Sequence, residues 1–151
     1  MQAALAEARK AGDAGEVPVG AVIVIDGAIA GTGFNQPIAA HDPTAHAEVI
    51  AMRAAAAAIG NYRLTGATIY VTVEPCLMCV GAMVHARIGL VVYAAPEPKA
   101  GALQSMTRAH ELAGLNHRLE VLGGVLEADS RDLLQAFFKD RRASARSGDQ
   151  E

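Results

Sequence analysis

The chain has 151 residues, 52% of them hydrophobic and 4% aromatic, with no tryptophan and a formal net charge of −3. That length and composition exclude a disordered chain and suit a single domain with a mostly aliphatic core. The acidic balance excludes a broadly basic nucleic-acid binder, and no apolar run approaches the ~20 residues of a membrane span.

Met1, Ala4, Leu5, Ala8 and Ala11 recur at helical spacing, and Gly12 and Gly15 close this first helix. The opening "MQAALAEARKAGD" lacks the basic-then-apolar layout of a secretion signal, so a cytoplasmic location is expected. "VPVGAVIVID" (17–26) is nearly continuous in apolar residues, as in a strand covered by helices on both faces. Asp26-Gly27 signals a type I′ hairpin turn into a second strand, Ala28–Phe34. A polar loop, "NQPIAAHDPT", follows; Thr44 is the expected N-cap of a helix through "AHAEVIAMRAAAAAI", which Gly60 ends.

"ATIYVTV" (67–73) is the third strand, and Pro75 opens a helix over 76–87. "IGLVVYA" (88–94) and "RLEVLGG" (118–124) are the fourth and fifth strands, with loop and one short helix between them. A last helix covers 127–143, and residues 144–151 form a polar tail expected to be disordered. The order is that of an α/β fold, a mixed five-stranded sheet between helical layers.

Both cysteines, Cys76 and Cys79, sit in "VEPCLMC" at the start of a helix. Three readings compete: two buried small hydrophobes, a redox dithiol, or half of a metal site with both thiolates on one helix face. A zinc site needs a further ligand, and "PTAHAEVIA" supplies His46, with Glu48 two residues on. Taken alone, His46 reads as an ordinary histidine and Glu48 as a helix-start carboxylate. Together the residues spell H-x-E, then 49–74, then P-C-x-x-C, a signature described from zinc-dependent nucleobase deaminases themselves.

Residues i and i+2 do not share a helix face, so His46 and Glu48 meet at one metal only if their helix points at it end-on. Three protein ligands, His46, Cys76 and Cys79, leave a fourth position for water, as in catalytic rather than structural zinc. Glu48, not needed as a ligand, is the expected catalytic proton carrier.

At these residues and beyond, through "EVPVGAV", "GFNQPI", "HDPTAHAE", "NYRL", "EPCLMCVGAMVHARIG", "PKAGA" and "LNHR", the sequence resembles the bacterial tRNA-specific adenosine deaminases. The resemblance covers residues 1–142 and makes 1–143 one deaminase domain. It implies a three-layer α/β/α sandwich of the cytidine deaminase type and one zinc per subunit. It further implies conversion of the first anticodon adenosine of tRNA to inosine, by a homodimer that binds tRNA across both subunits. Asn35 would then hydrogen-bond the flipped base, and the backbone around Ala47 and Pro75 would line the pocket. Pro96 and Glu97 depart from the basic–acidic pair found at this place in some relatives.

Outside the zinc motif, the candidate RNA contacts are Lys99 in the "PKAG" loop and Phe137, Phe138, Lys139, Arg141 and Arg142 on the last helix. Charge at a helix end explains the basic run equally well. Two rivals remain at this stage. One is the same zinc chemistry on free guanine, cytosine or deoxycytidylate; the other is a redox or structural C-x-x-C protein.

Overall fold

The computed structural model describes residues 1–148. Its sheet has strand order β2-β1-β3-β4-β5, with β1 Gly20–Ile25, β2 Ala28–Phe34, β3 Thr68–Val73, β4 Leu90–Ala95 and β5 Glu120–Gly123. β1 runs antiparallel to both β2 and β3, while β3, β4 and β5 are parallel. The expected mixed five-stranded sheet is therefore present. Ile25 pairs with Ala28 across Asp26 and Gly27, whose φ of 51° and 76° match the type I′ turn expected there.

The helices are α1 Gln2–Asp13, α2 Pro37–Ala40, α3 Ala47–Ile59, α4 Leu77–His85 and α5 Glu127–Gly148. α1 and α5 cover one face of the sheet, α3 and α4 the other. Ala21 and Ile23 of β1, Ile69 and Val71 of β3 and Val91 of β4 join α3 and α4 in one aliphatic core. The composition demanded such a core, since aromatic side chains are scarce. Among the described residues, no helix is long and apolar enough to cross a membrane.

Small residues set how close the layers come. A Cβ on Gly33 would lie 2.5 Å from the Ala47 carbonyl oxygen and 2.6 Å from the Ala51 nitrogen. A Cβ on Gly31 would meet Ala51 and Ala55 at 2.5 Å in the same way. Gly31 and Gly33 share a strand face, and Ala47, Ala51 and Ala55 share a helix face, so backbone packs directly on backbone. That contact fixes where the first turn of α3 points.

Several local expectations need correction. Thr44 does not cap α3: its N–H and hydroxyl both turn onto Asp42 Oδ1, at 2.8 and 2.7 Å, and the N-cap is His46. Cys76 is likewise the N-cap of α4, one residue outside the helix it was expected to begin. The polar loop after β2 contains the single turn α2, and the short helix before β5 is a 3₁₀ turn, Ala109–Glu111. The expected tail at 144–151 is helical through Gly148, because α5 continues past 143; residues 149–151 lie outside the described residues.

Candidate active site

The N-termini of α3 and α4 converge beyond the end of β3. An N-cap side chain ordinarily turns back onto its own helix to accept a free N–H. His46 and Cys76 make no such bond. Their extended backbone instead sends both side chains forward, and Cys79, one turn into α4, reaches the same point. His46 Nδ1 lies 3.6 Å from Cys76 Sγ and 3.6 Å from Cys79 Sγ, and the three ligand atoms all fall within 4.8 Å of one another.

The donor set fits zinc. Tetrahedral zinc with Zn–N of ~2.0–2.1 Å and Zn–S of ~2.3 Å separates nitrogen from sulfur by roughly 3.5 Å, close to both spacings here. Among the described residues this is the one group of three histidine, cysteine or acidic side chains so arranged. The Cys79 thiol, hydrogen-bonded to Cys76, brings the Cys76 thiol down to about 4, with His46 contributing. The same contact and burial push the Cys79 thiol up. Hydrogen bonding to Cys76 raises His46. The positive ends of both helices face these atoms, which favours anionic sulfur.

Glu48, in the first turn of α3, is 3% exposed and places Oε2 2.8 Å from Cys79 Sγ. Burial is the main reason that its carboxyl sits above the usual carboxylate range. A carboxyl shifted in that direction holds a proton more readily than a free carboxylate and can hand it on to a neighbouring base. The end-on arrangement of α3 is what lets His46 and Glu48 reach one centre.

A cavity of about 240 Å³ opens in front of these groups, lined by Val17, Val19, Asn35, Val73, Glu74, Glu97 and Ala100 besides His46, Glu48 and Cys76. It is smaller than the ~300–1,000 Å³ of a drug-sized site and suits one planar ring system. Three valines give it apolar walls, and the Asn35 amide supplies a polar edge.

The other expected residues scatter. Ala47 is fully buried against Gly33, and the Pro75 carbonyl already accepts the Ala102 N–H at 2.8 Å. Lys99 is exposed beside the cavity; its neighbours Glu97 and Ala100 line it, and its own N–H donates to Glu97 Oε1 at 2.9 Å. Phe137, Phe138, Arg141 and Arg142 lie outside the cavity on α5. Phe137 is half-buried in the groove between α1 and α5, with the Arg141 guanidinium 5.4 Å from its ring centre. Arg141 also donates to the Gly15 carbonyl at 3.2 Å. Phe138 is 44% exposed and, with Leu134, Gln135, Lys139 and Arg142, lines a separate surface hollow.

Sequence reasoning missed Val17, Val19, Val73, Glu74 and Ala100 as lining residues, and noted Glu97 only as a departure from some relatives. One signal pointed to Glu74: an acid that directly continues the apolar strand "VTV" at the strand end nearest the cysteines.

Residues 1–95 match the family described as the cytidine and deoxycytidylate deaminase zinc-binding region. Over 143 residues the chain is 48% identical to the tRNA-specific adenosine deaminase of Haemophilus influenzae, covering 94% of this chain and 83% of that protein. A solved structure from studies of A-to-I editing by tRNA:A34 deaminases at the wobble position is similar, with a TM-score of 0.86 and 43% identity. It spans 89% of this chain and 97% of its own. The guanine deaminase of Bacillus subtilis is similar over 63% of this chain and 61% of its own, at 46% identity and a TM-score of 0.61.

Proposed function

The chain belongs to the family of tRNA-specific adenosine deaminases, within the zinc-binding deaminases, and on that premise we propose that it converts the wobble adenosine of a tRNA anticodon to inosine. The observation that carries the reading is one centre where His46, Cys76 and Cys79 converge with the buried carboxyl of Glu48 beside them.

His46, Cys76 and Cys79 would hold the zinc. When bound, zinc would supply Lewis acidity, which brings the pKa of a water down to about 7. Glu48 is the group that moves protons. Its Oε atoms take a proton from the attacking water and deliver it to ring nitrogen N1 as the new C–O bond forms at C6. A second proton passes through the same carboxyl to the exocyclic amine, which leaves as ammonia. Water and adenosine thus become inosine and ammonia, with every proton accounted for. Asn35 orients the base through its amide, while Val17, Val19 and Val73 give the ring apolar walls to rest against. The target must first leave its stack, which costs a few kcal/mol, least for a base in an unpaired loop.

The reading includes RNA contacts by Lys99 and by the exposed hollow on α5 that contains Phe138, Lys139 and Arg142. It includes a cytoplasmic location and a homodimer. Leu77, Met78, Gly81 and His85 form an exposed face of α4, with Leu77 57% exposed, and this face supports a subunit contact.

A second reading, deamination of a free base or nucleotide (guanine, cytosine or deoxycytidylate), draws on the guanine deaminase likeness, which covers less of the chain. Ammonia release separates the two. The zinc-loaded protein should release ammonia from an anticodon stem-loop with a wobble adenosine and not from guanine, cytosine or deoxycytidylate; the reverse preference would establish the second reading.

A further inference from the structure

Glu74 is a buried acid, 3% exposed, that takes no part in the chemistry above. Its Oε2 accepts three successive backbone N–H groups, from Leu103 at 3.4 Å, Gln104 at 3.3 Å and Ser105 at 3.1 Å. Its Oε1 accepts the Ser105 hydroxyl. Successive N–H groups turned to one point form an anion-binding concavity, and here the anion belongs to the protein itself. The fit leaves no slack: a Cβ on Gly101 would lie 2.0 Å from Glu74 Oε2.

The segment so held is one wall of the cavity. Gly101 N–H donates to the Glu97 carbonyl at 2.8 Å, and Ala102 N–H to the Pro75 carbonyl at 2.8 Å. Glu97 and Ala100, which line the cavity, are therefore tied through Gly101 and Ala102 to Glu74 and Pro75. Those two residues directly precede Cys76. We propose that Glu74 is a positioning residue, whose carboxylate clamps the 101–105 turn and so sets the Glu97–Ala100 wall at a fixed distance from the metal ligands. The proposal rests on the tRNA deaminase reading for its substrate, and the clamp itself stands on the geometry alone.

A clamp of this kind acts on how the base docks, not on proton transfer. Releasing it should raise KM more than it lowers kcat, and should leave zinc in place. A merely structural role would lower thermal stability or zinc content and leave KM alone. The test uses full-length zinc-loaded protein carrying Glu74→Ala, Glu74→Asp or Glu74→Gln. Zinc is counted by elemental analysis, and hydrogen exchange is read at the amides of residues 103–105. KM and kcat are measured on an anticodon stem-loop with a wobble adenosine.

Losing the acceptor shared by three successive donors should speed exchange at 103–105 about tenfold or more in Glu74→Ala, and raise KM by a similar factor. Glu74→Asp, one methylene shorter, should behave like Glu74→Ala although it keeps the charge. Glu74→Gln, whose amide oxygen can still accept all three N–H groups, should recover most of the protection and most of the KM. Unchanged protection in Glu74→Asp, or lost protection with unchanged KM at full zinc content, would overturn the proposal. If Glu74→Ala does not fold, Glu74→Asp and Glu74→Gln carry the same comparison. If the wild-type protein forms no inosine, the substrate reading has failed instead, and the exchange pattern alone supports or overturns the clamp.

Discussion

Cys79 Sγ lies 2.8 Å from Glu48 Oε2, so a metal-binding sulfur and a buried carboxyl share a single proton's width of space. The short contact forces a division of labour. A second anion that close to the sulfur is tolerable only beside a cation or with a proton between them. Under the proposed function, Glu48 then carries protons next to the metal position without being one of the three side chains that converge on it.

The first prediction follows from that division. Glu48→Gln should bind one zinc per chain and keep its fold, because the amide can donate to the sulfur. Its turnover should fall by at least ~10²–10⁴, the usual contribution of positioned proton transfer. Elemental analysis alongside single-turnover kinetics decides the point, and loss of zinc in this variant would make Glu48 a ligand after all.

The second concerns the metal. Cysteine and histidine ligands must shed their protons to bind it, so metal affinity falls as pH falls and acidification should release zinc with uptake of protons. A chelator should abolish activity, and added zinc should restore it. Cys79 is only one member of an aliphatic core that runs along β1, β3 and β4 beneath α3 and α4, so far-UV circular dichroism should hardly change on zinc removal. A collapse of helicity would show that the metal is structural here.

Glycine packing gives the third. Gly33→Ala puts a methyl within 2.5 Å of the Ala47 carbonyl oxygen, where backbone cannot yield without moving α3. Overpacking of this type costs ~1–3 kcal/mol or more, and the shift reaches His46 at the head of that helix. Thermal unfolding should show the loss, and zinc affinity should drop with it. Gly12→Ala is the control: its Cβ would meet Pro18 Cβ at an ordinary 3.6 Å, and a helical alanine should stabilise by ~0.5–1 kcal/mol.

Much of this was legible in advance because it rests on short-range pattern. The Asp26-Gly27 turn, the Val- and Ile-rich strands and the H-x-E and P-C-x-x-C spacings all act within a few residues. The α3 cap was misread because Thr44 is a good capping residue, but Asp42, two positions away, claims both its donors. Glu74 shows in the sequence only as an acid at the end of an apolar strand, and its task was hidden for the opposite reason. Its partners lie 29–31 residues on, in a stretch with no periodic signal. The extension of α5 was hidden by polarity, since a solvated helix end and a polar tail share a composition.

The fourth prediction concerns RNA. With a net charge of −3, contacts to phosphate should be few, and the salt slope of tRNA binding shallow. Lys139→Ala and Arg142→Ala, both in the exposed hollow on α5, should weaken binding without disturbing zinc. Arg141→Ala tests something else, because that side chain is engaged with Phe137 and Gly15; its loss should lower stability as well. Filter binding over a salt series, paired with unfolding curves, separates the two effects. Equal affinity in Lys139→Ala and Arg142→Ala would remove α5 from the RNA interface.

As proposed here, the protein deaminates the wobble adenosine of a tRNA and Glu48 carries the protons. The most direct test is to treat a full-length tRNA bearing a wobble adenosine with the zinc-loaded protein, then digest it and map the products by mass spectrometry. Deamination replaces an amine with a carbonyl oxygen. That change is expected at the wobble nucleotide alone, and should disappear with Glu48→Gln. An unaltered tRNA, or inosine formed equally well by Glu48→Gln, would contradict the proposal.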